Sequence, residues 1–132
     1  MSATLSGQTV LIVEDQEGPR RALTMILSSF YRIHTAETAA AGLKAVLDHP
    51  IDLVIMDVGL PDYSGIELLR QVRASGRDVK AIVMSGGASI ESAEEVLRLG
   101  AVAYLLKPFN FQELLTLVEN ALKVTDVKLT SS

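Results

Sequence analysis

Five polar side chains in this sequence share one kind of position: each closes, or directly follows, an apolar β-branched run. Glu14 and Asp15 follow TVLIV, and Asp57 closes LVIMD. Ser85 closes VKAIVMS, and Lys107 follows AVAYLL. If those runs end on one edge, three carboxylates, a hydroxyl and an ammonium converge there. Close carboxylates repel one another and push their own pKa values up, a cost that a hard divalent cation removes. Carboxylate and carbonyl oxygens are the donors that Mg2+ or Mn2+ selects.

The rest of the chain has to position that edge. At 132 residues it is the size of one domain, with 48% apolar and 21% charged residues, the balance of a globular protein. It has no cysteine, which excludes disulfide scaffolds, thiol catalysis and iron–sulfur sites. A net charge of −4 argues against a nucleic-acid or anionic-membrane surface. No apolar run approaches the ~18 residues of a membrane span. Met1–Gln8 is too polar for a signal peptide, so the expected setting is cytoplasmic.

Short apolar runs alternate with helical periods five times. Thr9–Val13, Arg32–Ala36, Leu53–Asp57, Val79–Ser85 and Ala101–Leu106 read as strands. Gly18-Pro19 opens a helix with Leu23, Ile26, Leu27 and Phe30 on one face. Thr38 caps a second, with Ala39, Leu43, Val46 and Leu47 inward and Pro50 beyond its end. Ser64-Gly65-Ile66-Glu67 has capping-box spacing and opens a third, carrying Ile66, Leu69 and Val72 and stopping at Gly76. The fourth turns Ala93, Val96 and Leu97 inward and ends at Gly100. Asn110 and Glu113 cap the fifth, whose stripe is Leu114, Leu117, Val118, Ala121 and Leu122. Such alternation predicts an α/β fold: a parallel sheet with helices on both faces. Ligands of open parallel sheets bind outside the carboxyl ends of the strands, where the five polar residues stand. His34 and His49 read as separate surface or structural residues, and Asp62 as a turn former.

The set Glu14-Asp15, Asp57, Ser85 and Lys107-Pro108, with Val58-Gly59-Leu60-Pro61-Asp62-Tyr63-Ser64-Gly65 after Asp57, resembles the receiver domain of two-component response regulators. The resemblance covers residues 8–124, leaving 1–7 as an N-terminal extension and 125–132 as a polar tail or the start of a linker. It implies a doubly wound, flavodoxin-like (βα)5 sheet in strand order 2-1-3-4-5. Asp57 is then the phosphoacceptor, and Asp15, Asp57, the Gly59 carbonyl and Glu14 are the metal ligands. Lys107, Ser85 and backbone N–H groups near Gly59 and Gly86 are expected to bind phosphoryl oxygens. Ser85 and Tyr104 match the family's switch pair, and Lys107-Pro108 is expected to be cis.

The implied partners are a histidine kinase or histidine phosphotransfer protein and a downstream effector or fused output domain, with a phosphorylation-linked dimer as one output. Ala22, Met25 and Pro108 form the implied docking patch. The chain would catalyse only its own phosphorylation and dephosphorylation, so it is not expected to be an enzyme. The alternative is a receiver-like docking module that signals without phosphate. Nucleotide binders on this fold need GxGxxG or GxxxxGK[ST], and neither pattern occurs.

Overall fold

Five short strands pair side by side: β1 Thr9–Val13, β2 Arg32–Ala36, β3 Leu53–Asp57, β4 Lys80–Ser85 and β5 Ala103–Leu106. In the computed structural model, which describes residues 7–87 and 90–123, all four pairings are parallel, in the order β2-β1-β3-β4-β5. Residues 1–6, Ala88, Ser89 and 124–132 lie outside the described residues, and with them most of the expected extension and the whole tail.

The crossovers are α1 Glu17–Leu27, α2 Ala39–Asp48, α3 Gly65–Ala74 and α4 Ile90–Arg98, and α5 Phe111–Ala121 follows the last strand. β1 and β3 are buried along their whole length, as expected of central strands covered on both faces. Alternation of side chains across the sheet divides the core in two. Leu11, Val13, Val54, Met56, Ala81 and Val83 pack on one face with Val46, Leu68, Leu69, Val72 and Val96 of α2, α3 and α4. Val10, Ile12, Leu53, Ile55, Ile82 and Met84 pack on the other with Leu23, Leu27, Leu114 and Val118 of α1 and α5.

Several local expectations need correction. α1 begins at Glu17, ahead of Gly18-Pro19, because Arg20 N–H already donates to the Gln16 carbonyl. Pro19 therefore sits inside the first turn, where a missing donor costs nothing. Phe30 lies beyond the helix end and is 43% exposed; Leu47 and Leu97 are also exposed. β4 starts one residue late, since Val79 N–H turns back to the Arg77 carbonyl. β5 starts at Ala103 because Ala101 N–H closes the end of α4 on the Val96 carbonyl.

The caps at Thr38, Ser64 and Asn110 form as the spacing predicts, each accepting from backbone N–H groups of the first turn. Glu67, however, leaves the capping box and pairs with Arg70, which also holds Glu95 of α4.

Candidate functional site

At the carboxyl edge of the sheet, β1, β3 and β5 deliver their polar residues to one point. The Lys107 ammonium lies 2.6 Å from Asp57 Oδ1 and 3.2 Å from Glu14 Oε1. Glu14 is 1% and Asp57 7% exposed, whereas Asp15 faces solvent. Burial works against the lysine's charge, but hydrogen bonds and attraction from Asp57 and Glu14 outweigh it, and its pKa stands above the usual lysine value. The Lys107–Pro108 peptide is cis, as the resemblance implied.

Each carboxylate is anchored differently. Glu14 Oε2 accepts from Gln16 N–H at 3.1 Å, and Asp57 Oδ2 accepts from Gly59 N–H at 2.9 Å. Asp57 Oδ1 is buried, with the Lys107 ammonium beside it but no well-aligned hydrogen bond among the described residues. The segment after Asp57 is held by Val58 N–H on the Met84 carbonyl and by Gly65 N–H on the Val58 carbonyl. Gly59 and Gly86 put no side chain over the site.

One oxygen each of Glu14, Asp15 and Asp57 lies within 4.8 Å of the other two. Three carboxylates against one ammonium leave excess negative charge in a half-buried place. An oxygen donor set of this kind fits a hard divalent cation. The acidic cluster is thus a candidate metal centre.

Ser85 and Tyr104 do not join this cluster. Ser85 is buried, and its hydroxyl donates to the Gly87 carbonyl at 2.6 Å while accepting from Gly87 N–H. Tyr104 is half-buried against the core face shared with α4, and its hydroxyl is buried with no hydrogen-bond partner among the described residues. Met25 is 75% exposed, Pro108 is exposed and Ala22 is half-buried. A groove of about 390 Å3 lies next to Glu14 and Lys107, lined by Pro19, Leu23, Phe109 and Phe111.

Two readings of isolated residues are corrected. His34 and His49 are not apart: their ring centroids are 4.5 Å from one another. α2 returns antiparallel to the strands, which brings its C-cap back beside β2. Asp62 is more than a turn former. Its carboxylate accepts from Ala39 N–H at 2.8 Å and Ala40 N–H at 2.9 Å, capping α2 from 23 and 22 residues away. Desolvation opposes its charge, but these backbone bonds outweigh it and hold the carboxyl below its usual range.

A depressed carboxyl pKa adds stability above its unfolded value, and that stability is lost as pH falls through the folded value. Asp62→Ala is therefore expected to lower the melting temperature by a few degrees at pH 7. The difference from wild type should vanish in acid, which thermal unfolding across pH measures.

Residues 10–119 match the family described as response regulator receiver domain. The chain is 34% identical over 120 residues to the regulatory protein AtoC of Escherichia coli K12, covering 90% of this chain and 26% of that protein. It is 36% identical over 115 residues to the transcriptional regulatory protein KdpE of Mycobacterium tuberculosis H37Rv, covering 86% of this chain and 50% of that one. The chain thus spans between a quarter and a half of these curated relatives. Among solved structures, a CheY-like response regulator receiver domain protein from Methanospirillum hungatei superposes with a TM-score of 0.83 at 33% identity, over 87% of this chain and 93% of that one. With its sheet order, its acidic edge and these likenesses, the chain belongs to the receiver domains of two-component response regulators.

Proposed function

We propose that this domain accepts a phosphoryl group on Asp57 from a phosphohistidine partner and thereby switches a protein-interaction face. The observation that carries the reading is the setting of Asp57. Its carboxylate is buried, one oxygen meets the Gly59 N–H and the other a lysine, and two further carboxylates crowd the same point.

Phosphoryl transfer needs little covalent help and depends on positioning and on neutralising charge on the equatorial oxygens. An Asp57 oxygen attacks phosphorus as the phosphorus–nitrogen bond to the donor imidazole breaks. Lys107, already drawn to Asp57, keeps its charge and pairs with a phosphoryl oxygen. The Ser85 hydroxyl leaves its bond to the Gly87 carbonyl to meet another, with backbone N–H groups near Gly59 and Gly86 completing the cradle. A bound Mg2+, held by Asp15, Asp57, Glu14 and the Gly59 carbonyl, would supply the remaining positive charge. Movement of Ser85 and reorientation of Tyr104, whose buried hydroxyl has no partner to hold it among the described residues, would then alter the face made by α4, β5 and α5. Leu97, Val102 and Leu106 are exposed there for an effector or a second copy.

The donor is a histidine kinase or histidine phosphotransfer protein that docks on α1 through Met25 and on Pro108. Relatives two to four times longer than the match support an effector carried elsewhere in a chain or on a partner. The domain's own charge of −4 argues against direct nucleic-acid contact.

Intact-mass spectrometry after incubation with acetyl phosphate tests the reading. One phosphoryl adduct is expected with Mg2+, none without it and none on Asp57→Asn. No adduct on the wild type from either acetyl phosphate or a phosphorylated kinase would leave a docking module that never carries phosphate.

A further inference from the structure

The three carboxylates of the acidic cluster are not equally secured. Glu14 and Asp57 each take a backbone N–H and share Lys107. The Asp15 carboxylate is exposed and takes no hydrogen bond or ion pair from the described residues. Its place depends on the backbone of the β1–α1 turn. That turn lacks the usual support, because Gln16 at the N-cap of α1 makes no side-chain cap.

Arg20 supplies the support instead. Its Nη1 donates to the carbonyl of Glu14 at 3.1 Å and to that of Asp15 at 3.3 Å. Its Nη2 lies 3.7 Å from Glu37, in the turn after β2, and the arginine side chain is only 16% exposed. A planar guanidinium can hold two successive carbonyls and a neighbouring carboxylate at once, whereas an ammonium has no fixed fork.

Resting on the proposed cation site, we propose that Arg20 is a positioning residue that fixes the Glu14–Asp15 backbone and so places the Asp15 carboxylate for a divalent cation. Charge and geometry predict opposite effects here. A guanidinium near the cluster repels an incoming cation, so its removal would tighten binding if charge alone mattered. If Arg20 positions Asp15, its removal frees the turn and weakens binding.

Calorimetric titration of Mg2+ into the full chain separates the two. Arg20→Ala and Arg20→Lys are both expected to weaken Mg2+ binding, by roughly tenfold. Circular dichroism spectra and unfolding midpoints establish that each variant is folded, and the lysine variant carries the test should the alanine one not fold. Unchanged or tighter binding by Arg20→Ala, or wild-type binding by Arg20→Lys, overturns the positioning role. Asp15→Asn is the control on the underlying reading. If it binds Mg2+ as wild type does, the cation site itself is wrong; if it loses binding while the Arg20 variants do not, only the Arg20 proposal fails.

Discussion

Lys107→Met is expected to cost about 3 kcal/mol of folding stability in the absence of divalent cations, because it strips the partner from buried carboxylates. Methionine keeps the apolar stem that lines the groove with Pro19 and Phe109, so packing changes little. What disappears is the charge 2.6 Å from Asp57 and 3.2 Å from Glu14. Glu14 is then a nearly inaccessible carboxylate beside two others, left without an ion-pair partner among the described residues. Saturating Mg2+ should recover much of the loss, since a ligand that binds only the folded state stabilises it by mass action. Urea unfolding of both proteins, with and without Mg2+, measures the two differences. Equal deficits in both buffers would mean that the three carboxylates do not share a cation.

The position of Lys107 is visible in the sequence because strand ends are legible there. β1, β2 and β3 begin and end where the sequence predicts them, and the residue closing each stands at the sheet edge. Glu14, Asp15, Asp57 and Lys107 could therefore be placed from order and spacing. The starts of β4 and β5 were less legible. Arg77, Val79, Val96 and Ala101 use backbone groups to turn the chain there, and apolarity alone does not separate a turn residue from a ladder residue.

Helix faces were legible only as far as the helix ran with a partner. Leu23 and Leu27 are buried, but Phe30 falls outside α1 and packs edge-on against Tyr31. Leu97 continues the helical period of α4 and is nonetheless exposed, on the face where an interaction surface is proposed.

Polar contacts between distant elements had no local signal at all. Arg73 donates to the carbonyls of Val79, Leu99 and Gly100, tying α3 to the far ends of two other segments. Asp62 is a residue type suited to capping, but the helix it caps begins 23 residues before it. Such contacts appear only once the crossovers have brought loops together, and Arg20 belongs with them.

Glycine 65 tests how closely helix and site are packed, and its replacement is expected to reverse the usual effect of alanine in a helix. Glycine in a helix is ordinarily the weaker residue by about 0.5–1 kcal/mol, so alanine should stabilise. At Gly18, the second residue of α1, an added Cβ meets nothing within 4 Å outside its chain neighbours, but Pro19 disfavours a helical residue with a Cβ before it, so Gly18→Ala is expected to change stability by less than about 0.5 kcal/mol. Gly65 is the first residue of α3, and a Cβ there would stand near the Asp57 carbonyl oxygen, 2.9 Å from the Asp57 carbonyl carbon and 3.2 Å from Val58 Cα. All three are backbone atoms, which cannot rotate away as a side chain would. Gly65 N–H also donates to the Val58 carbonyl at 2.9 Å, so moving α3 outward breaks that bond. Gly65→Ala is accordingly expected to lose about 3 kcal/mol, at the upper end for overpacking. The strain falls on the backbone of Asp57 itself, so phosphoryl acceptance should fall along with stability. Urea midpoints of the two alanine variants measure the contrast in size. A neutral Gly65→Ala would show that α3 can withdraw from the end of β3 freely, and that the site does not depend on this contact.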